Sequence, residues 1–273
     1  MKKILVTGAL GFIGSNLSKA LHRDGFDVIG LDDEILTGEN WEENLSNLVV
    51  SANPMAIFHV GACADTLENS ANFMMIRNYE ATKILVQAAK LIDSKFIYSS
   101  SAANYGVNGR YPSNLYGWSK YVAEDYVTLN KGVSLRYFNV YGPGEERKGK
   151  MSSFLYQAHK LNEDEKTVEL FPGNPSRDFV HIEDVVSANI YALEKFQEFE
   201  GGVYEVSTGE SHTFEEVLEI AGIEYKYADA DSIPDGYQFY TKGSKDRHLS
   251  GWSPSVDLFA GVSSYVKHLA NNG

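Results

Sequence analysis

Apolar residues along the N-terminal half of the chain follow two alternating patterns. Residues 4–6 form a continuous apolar run, and from Phe12 onwards apolar residues recur every three or four positions. The first pattern predicts a buried strand and the second a helix that packs against it. Their repeated alternation predicts an α/β fold with a doubly wound parallel sheet. Further predicted strands are residues 26–32, 56–62, 95–99, 134–138 and 202–206, and further predicted helices are residues 72–92, 117–130, 151–161, 183–196 and 213–220.

Three glycines occupy the turn between the first predicted strand and helix. Gly8, Gly11 and Gly14 are spaced as G-x-x-G-x-x-G. Such a turn lets the backbone approach a pyrophosphate, and the helix N-terminus adds amide donors and a partial positive charge. Gly8 can make the tight turn, Gly11 removes a side chain at the phosphate, and Gly14 lets the helix lie close to the strand. The pattern predicts a Rossmann-type dinucleotide site; a glycine-rich turn without a ligand is the alternative.

The second predicted strand ends in an acidic residue. Asp32 lies about 20 residues beyond the glycines, where such folds hold the ribose hydroxyls of the cofactor. Asp33 and Glu34 follow it, and no lysine or arginine stands between Arg23 and Arg77. A 2′-phosphate would face three carboxylates, so the local charges favour NAD over NADP. A solvated acidic loop is the alternative.

The regular alternation weakens after residue 144, and residues 36–53 fit neither period. We therefore expect a discontinuous division of the chain. A dinucleotide-binding Rossmann domain is predicted for residues 1–138 plus about 178–204, and a smaller substrate-binding portion for about 139–177 plus 205–273. The substrate portion is expected near the carboxyl edge of the sheet, where ligands bind in such folds.

Composition narrows the class of protein. The 273 residues carry a formal charge of −13 and one cysteine, Cys63. The charge argues against a general nucleic-acid-binding surface, and one cysteine excludes an internal disulfide and a cysteine-rich metal site. No apolar run approaches the ~20 residues that cross a membrane, and the chain enters a strand without a signal-peptide pattern. We expect a cytoplasmic protein with no metal and no membrane or nucleic-acid partner.

A tyrosine and a lysine stand four residues apart near the start of a predicted helix. Tyr116 and Lys120 would lie on one helix face. A tyrosine acts as a general base near pH 7 only if its pKa of ~10 is lowered. Lys120 and an oxidised nicotinamide would both stabilise the phenolate, and Ser101, at the end of the neighbouring strand, could hold a substrate alcohol. The set predicts hydride-transfer chemistry; an ordinary surface pair is the alternative.

Taken together, these motifs resemble the extended short-chain dehydrogenase/reductases, the NAD-dependent epimerase/dehydratase family, in the branch that modifies nucleotide sugars. Within that branch the chain is similar to the ADP-heptose 6-epimerases. The matching stretches cover nearly the whole chain. They are residues 7–16, 57–63, 74–79, 100–106, 116–120, 136–143, 148–151, 177–180 and 237–238.

The resemblance implies an isomerase that transiently oxidises a nucleotide sugar to a ketone with a tightly bound NADP. Inversion of a carbon needs a proton acceptor and donor on each face of the sugar. The family takes one from the tyrosine of Tyr-x-x-x-Lys and the other from a Lys-Gly-x-Met stretch, here Tyr116 and Lys148. A solvated loop lysine is the alternative reading of Lys148. The implied substrate is an ADP-heptose of bacterial lipopolysaccharide biosynthesis, and the implied assembly is a homo-oligomer.

The resemblance also implies two sets of binding residues. Besides the three glycines, the cofactor set is Phe12, Ile13, Asp32, Asp33, Gly61, Ala62, Cys63, Asn78, Lys120 and Val140. The substrate set is Ser101, Asn139, Lys150, Gln157, Phe171, Gly173, Arg177 and Tyr237. Arg177 could clamp a pyrophosphate, because a guanidinium binds phosphate oxygens in a bidentate way.

Three positions depart from the family pattern. Glu39 lies near the place of a basic residue suited to a 2′-phosphate, Lys150 replaces a serine, and Gln157 replaces a histidine. The cofactor thus stays open between NADP, which the resemblance implies, and NAD, which residues 32–34 favour. The two substitutions leave the sugar open as well.

The same fold also serves other enzymes of nucleotide sugars and dinucleotide-sensing regulators. A 4-epimerase or keto-sugar reductase acting on another nucleotide sugar would use Ser101, Tyr116 and Lys120 without needing Lys148. A 4,6-dehydratase would carry an Asp-Glu pair after the strand serine, where residues 102–104 are Ala-Ala-Asn. A dinucleotide-sensing regulator on the same fold usually lacks the Tyr-x-x-x-Lys pair.

Overall fold

A computed structural model describes residues 1–107, 109–234 and 237–272. The chain forms two compact units. The first unit is Met1–Arg136 with Val186–Tyr204, and the second is Tyr137–Val185 with Glu205–Gly273. The binding roles predicted for the two parts of the chain, cofactor for the N-terminal part and substrate for the C-terminal part, stay predictions.

The described chain alternates strands and helices. The strands are β1 (Lys3–Thr7), β2 (Asp27–Leu31), β3 (Ala56–His59), β4 (Lys95–Ser101), β5 (Val133–Tyr137), β6 (Asn139–Tyr141), β7 (Val168–Leu170), β8 (Ser176–Arg177), β9 (Phe179–His181), β10 (Val203–Val206), β11 (His212–Thr213) and β12 (Tyr225–Tyr227). The helices are α1 (Phe12–Arg23), α2 (Trp41–Ala52), α3 (Ala71–Met75), α4 (Ala81–Leu91), α5 (Leu115–Leu129), α6 (Phe154–Glu163), α7 (Ile182–Glu194), α8 (Phe196–Phe199), α9 (Phe214–Ala221) and α10 (Leu258–Asn272).

The central sheet has six strands in the order β10-β5-β4-β3-β1-β2. Strand β1 pairs in parallel with both β2 and β3, and β3 pairs in parallel with β4. This confirms the predicted doubly wound parallel sheet. Strands β2 and β3 lie on opposite sides of β1. Ligands bind in these folds in the crevice beyond the carboxyl end of a strand at which the strand order reverses, here β1.

Burial explains why the apolar runs became strands. Ile4, Leu5 and Val6 have no exposed surface, as expected for a strand covered on both faces. A core cluster forms from Leu5, Leu45, Val49, Ile57, Ala81, Leu85, Val86, Ala88, Ala89, Phe96, Tyr98, Ala123 and Val127. This core fixes the strand ends from which the first unit's candidate site residues project.

Two features of the first unit were not predicted. Residues 36–53 contain α2, whose fully buried side chains are only Leu45 and Val49. So narrow an apolar stripe gives a weak helical period. The predicted helix 72–92 is interrupted by a π-helical turn, Ile76–Glu80. Such turns often mark functional sites, and an inserted residue shifts the helical period.

The second unit is built from small sheets and three packed helices. Strand β6 pairs in parallel with β9, β12 pairs in parallel with β7, and β11 pairs in antiparallel fashion with β8. One core cluster combines buried residues of β6, α6, β9, α9 and α10, namely Tyr141, Leu155, Phe179, Val217, Val262 and Tyr265. The cluster gives the loop that follows β6 a packed base.

Helix ends in the second unit follow their capping residues. Helix α6 begins at Phe154, later than the predicted start at 151, because Ser153 caps it and a 3₁₀ segment, Glu145–Met151, precedes it. Helix α9 begins with a capping box formed by Thr213 and Glu216. Helix α10 was not predicted.

In the described part of the chain, no helix is long and apolar enough to span a membrane. The same residues hold no cluster of three or more His, Cys, Asp or Glu side chains suited to a metal ion.

Candidate active site

The glycine turn after β1 is closed by backbone contacts. Gly8 has a φ of +65°, and its N–H donates to the Leu31 carbonyl at 2.7 Å. A side chain on Gly14 would overlap the Gly8 carbonyl, and a Cβ on Gly8 would lie 2.7 Å from the Gly61 Cα. These glycines let the turn, α1 and the end of β3 meet, and they leave main-chain atoms uncovered. That arrangement fits a dinucleotide pyrophosphate.

A cleft opens beside this turn. Its walls are mainly apolar, and its polar groups include Asp32, Asp33 and Arg77. The Asp32 carboxylate accepts a hydrogen bond from the Leu10 N–H at 3.1 Å, which orients it next to the turn. An apolar cleft with a carboxylate at the end of β2 fits the adenosine half of a dinucleotide.

Arg77 is a cleft residue that the sequence analysis did not select. It stands in the π-helical turn, and its guanidinium forms an ion pair with Asp33, Nη1 to Oδ2, at 2.5 Å. The same guanidinium lies 4.7 Å from the centroid of the Phe73 ring. The sequence places no lysine or arginine between Arg23 and Arg77 beside these carboxylates, but the fold brings Arg77 to Asp33 from 44 residues away.

A buried hydrogen-bond chain runs beneath the cleft. Thr82 donates to the Asn78 carbonyl at 2.6 Å, so its oxygen accepts from His59 Nε2 at 2.8 Å. His59 Nδ1 then accepts from the Thr7 hydroxyl at 2.7 Å, and the Thr7 oxygen accepts from the Gly61 N–H at 3.0 Å. Burial, and to a lesser extent the charge of Lys120, together lower the pKa of His59 to about 3. Neutral His59 thus couples β1 to the π-helical turn.

Asn78 joins this chain to the candidate catalytic helix. Its side-chain oxygen accepts from the Cys63 N–H at 2.7 Å, and its amide donates to the Cys63 carbonyl and to Ser119 Oγ, both at 2.9 Å. Ser119 in turn donates to the Tyr116 carbonyl at 2.7 Å. The structure thereby brings together the predicted cofactor residues of the loop after β3, the π-helical turn and α5.

Tyr116 and Ser101 meet at the carboxyl edge of the sheet. Ser101 ends β4, and Tyr116 lies in the first turn of α5, which Asn114 caps by accepting from the Gly117 N–H at 2.8 Å. Burial raises the pKa of Tyr116, and a hydrogen bond with Ser101 opposes that rise. Burial has the larger effect, so the pKa of Tyr116 lies above its usual value; its lowering by Lys120 together with an oxidised nicotinamide stays a prediction.

Lys120 is buried one turn further along α5. Its ammonium lies 4.4 Å from the centroid of the Tyr98 ring, a cation–π geometry. Burial lowers the pKa of Lys120 to about 7, and the charge of Glu124 opposes the decrease. At neutral pH the side chain is therefore poised between its two protonation states.

Glu124 is a buried carboxylate that the sequence analysis missed. Arg136 binds it through two hydrogen bonds, from Nε at 2.7 Å and from Nη2 at 2.5 Å. Ser100 donates to it at 2.6 Å and Asn104 at 3.1 Å. The four-residue spacing from Lys120 could have pointed to Glu124, but Arg136 is its partner only in the folded chain.

Lys148 lies in the 3₁₀ segment of the second unit. Burial lowers the pKa of Lys148, and the charge of Glu145 opposes the decrease. Glu145 is fully buried and accepts hydrogen bonds from the Gly142 N–H at 3.3 Å and from Ser153, through the backbone at 2.5 Å and the hydroxyl at 2.8 Å. The half-buried Lys148 therefore does not match a freely solvated lysine, and Glu145 is a further residue that sequence reasoning missed.

Two predicted substrate residues take part in holding the same loop. Gln157 donates to the Ser152 carbonyl at 2.8 Å and to the Lys150 carbonyl at 3.3 Å. The Lys150 side chain is exposed. Gln157 thus contributes to the shape of the Lys148 loop.

The second unit also gathers predicted substrate residues around Arg177. The guanidinium lies 5.5 Å from the Tyr237 ring and 5.3 Å from the Phe214 ring, and Phe171 packs edge-on against Tyr237 at 5.1 Å. Burial lowers the pKa of Arg177, and Tyr237 opposes the decrease. A guanidinium binds anionic oxygens in a bidentate way, so this position suits an anionic ligand.

The remaining predicted residues lie in a loop of the second unit, in β6 and at the start of α1. Gly173 has a φ of +98°, and a side chain there would meet the Phe239 ring at 3.1 Å. In β6 the Asn139 side chain is exposed and Val140 is buried. Phe12 is buried and Ile13 half-buried at the start of α1.

The sequence pattern of the NAD dependent epimerase/dehydratase family matches residues 4–207. The chain belongs to this family. Protein relatives named ADP-L-glycero-D-manno-heptose-6-epimerase extend the likeness over nearly the full length. One from Pseudomonas aeruginosa is 36% identical over 98% of this chain and 99% of its own, and one from Brachyspira hyodysenteriae is 32% identical over 99% and 98%.

Solved structures of epimerases share the fold. An ADP-L-glycero-D-manno-heptose-6-epimerase of Helicobacter pylori superposes with a TM-score of 0.86 at 28% identity, covering 98% of this chain and 96% of its own. A UDP-glucose 4-epimerase of Thermotoga maritima, solved with UDP-glucose, gives 0.85 at 26% identity, covering 99% of both chains. The Rossmann fold of this family member is therefore shared with epimerases of different nucleotide sugars.

Proposed function

We propose that this family member is a nucleotide-sugar epimerase that inverts the sixth carbon of an ADP-glycero-manno-heptose. The full-length likeness to heptose epimerases supports the substrate. The observation that carries the proposal is the environment of Lys148, whose pKa is lowered by burial and whose loop is anchored on buried Glu145. A reductase or a 4-epimerase can work with one proton-transfer group, Tyr116, whereas the proposed inversion at the sixth carbon uses a second.

The proposed reaction has two proton transfers. A nicotinamide cofactor held at the glycine turn and Asp32 would supply reversible hydride exchange with the sugar carbon. In the oxidation, the sugar hydroxyl gives its proton to Tyr116 or to Lys148, and the carbon becomes a ketone. In the reduction, the other residue donates a proton to the ketone oxygen. Cofactor is regenerated in each turnover, so no external reductant is consumed.

The catalytic roles follow from the environments of the side chains. Because burial raises the pKa of Tyr116, the tyrosine needs nearby positive charge to act as a base. We propose that Lys120 and the oxidised cofactor provide it, and that Ser101 holds the sugar hydroxyl. Arg177 is the proposed clamp for the pyrophosphate of the sugar nucleotide.

We further propose NAD as the preferred cofactor. The glycine turn would hold its pyrophosphate, Asp32 its ribose hydroxyls, and Gly61, Ala62, Cys63 and Asn78 the more distal half. Asp32, Asp33 and Glu34 disfavour a 2′-phosphate, although Arg77 compensates one of these charges. The family description as NAD dependent supports the same preference.

The test is an incubation of the purified protein with ADP-D-glycero-manno-heptose and no added cofactor. We expect conversion toward the L epimer, measured by chromatographic separation. Tyr116→Phe should lose turnover while keeping bound nucleotide, and Tyr121→Phe on the same helix should remain active. Retained turnover in Tyr116→Phe would refute the assignment of the base.

A second candidate is an epimerase acting at the fourth carbon of another nucleotide sugar. The departures at Lys150 and Gln157 and the likeness to a UDP-glucose 4-epimerase favour it. Bound nicotinamide without conversion of the heptose, followed by epimerisation of UDP-glucose, would select this candidate over the first.

A further inference from the structure

In the cleft beside the glycine turn, Asp33 and Arg77 form an ion pair although they come from distant parts of the chain. Asp33 follows the end of β2, and Arg77 stands in the π-helical turn before α4. The bond joins Nη1 to Oδ2 at 2.5 Å, and the side chain of Arg77 is 19% exposed against 64% for Asp33. Arg77 is thus largely enclosed, and its carboxylate partner lies at the rim.

Arg77 is the one cationic side chain among the described residues that line this cleft. His59, the other basic lining residue, is neutral because burial holds its pKa near 3. A phosphate on the adenosine ribose would carry about 1.5 to 2 negative charges and would need a guanidinium or ammonium partner. In this cleft that partner is already bound to a carboxylate.

Two contacts hold the guanidinium in place. Asp33 accepts a hydrogen bond from its Nη1, and the Phe73 ring centroid lies 4.7 Å from its central carbon. A planar cation fixed between a carboxylate and an aromatic ring loses little further entropy when it binds a second anion. The Arg77 guanidinium is therefore preorganised to bind an anion, and the anion that it binds in this structure is the Asp33 carboxylate.

We propose that the Asp33–Arg77 ion pair determines the cofactor choice of this chain, with Asp33 masking a 2′-phosphate ligand in Arg77. The intact pair rejects NADP in two ways: the carboxylate occupies the guanidinium, and its charge repels a phosphate. Removing the carboxylate charge exposes Arg77 and permits NADP. The inference rests on the proposed dinucleotide site and does not depend on which sugar is the substrate.

The test is equilibrium binding by calorimetry to protein stripped of nucleotide. The probes are 5′-AMP and adenosine 2′,5′-bisphosphate, which differ by the 2′-phosphate, followed by NAD and NADP. The variants are Asp33→Asn, Arg77→Gln and the double variant. Glu34→Gln is the matched control, because it removes a neighbouring exposed carboxylate of the same 3₁₀ turn, Asp33–Leu36.

We expect the wild-type protein to prefer 5′-AMP and NAD. Asp33→Asn should raise the affinity for the bisphosphate about tenfold, the equivalent of one charge-assisted hydrogen bond, with little change for 5′-AMP. The gain should vanish in the double variant, fall with added salt, and be much smaller in Glu34→Gln.

Three results would overturn the inference. A wild-type preference for the 2′-phosphate would remove the masking role of Asp33. An equal gain in Glu34→Gln, or one that survives in the double variant, would reduce the effect to net charge. The third result is the absence of any response to Asp33→Asn. If 5′-AMP still binds, this result refutes the ion-pair inference alone. If neither probe binds, it refutes the dinucleotide site as well.

Discussion

Lys120 and Lys148 are two lysines whose pKa values burial lowers, yet they are held in opposite ways. Lys120 lies in the second turn of a 15-residue helix, against Tyr98, with Glu124 one turn further on. Lys148 lies in a 3₁₀ segment, followed by Gly149 with a φ of +53°, and its anchor is Glu145. A side chain on a rigid helix keeps its geometry, whereas one in a loop can adjust to a ligand. The proposed chemistry uses both properties. Lys120 must stay aligned with Tyr116, and Lys148 must reach the opposite face of the sugar.

The largest expected effect on stability comes from Glu124, which lies one turn after Lys120 on α5. Glu124→Ala should lower the free energy of unfolding by about 3–5 kcal/mol, because it leaves the partly buried Arg136 without its carboxylate. The double variant Glu124→Met with Arg136→Met should recover most of the loss. Denaturant unfolding measures both. A single-variant loss below about 1 kcal/mol would show that the pair does not hold the helix.

The helix and the loop also differ in how far the sequence predicted them. The Gly8 turn, Asp32 and the Tyr116–Lys120 spacing were recognised because each is encoded within a few residues of one element. Lys148 has no such local signal, and its role came from resemblance. Glu124 with Arg136, Asp33 with Arg77 and the anchor at Glu145 were missed because each depends on partners that only the folded chain brings together.

An intermediate effect concerns the pH dependence of the loop lysine. Glu145 raises the pKa of Lys148 against the effect of burial, so removing its charge in Glu145→Gln should lower that pKa further. The limb of the pH–rate profile that reports Lys148 should then move to lower pH. Glu146→Gln, an exposed neighbour in the same segment, is the control. A shift to higher pH, or an equal shift in both variants, would contradict the anchoring role of Glu145.

The smallest expected effects on stability come from removing the N-terminal caps of α5 and α6. Asn114→Ala removes the cap of α5, and Ser153→Ala removes that of α6; each should cost about 1 kcal/mol. Ser153 also donates to Glu145 at 2.8 Å, so Ser153→Ala should additionally change the pH–rate profile, whereas Asn114→Ala should not. Unfolding curves and pH–rate profiles of both variants check this. Identical profiles in the two variants would argue that the Lys148 loop is as rigid as α5.

The most direct test of the two-residue account uses Tyr116→Phe and Lys148→Met with each sugar epimer supplied separately. The measurement is the absorbance of reduced nicotinamide bound to the protein after one epimer is added. If Tyr116 serves one face and Lys148 the other, each variant should still oxidise one epimer, and the two variants should retain opposite ones. Loss of oxidation of both epimers in Tyr116→Phe, with Lys148→Met unaffected, would contradict the account and leave Tyr116 as the sole proton-transfer residue.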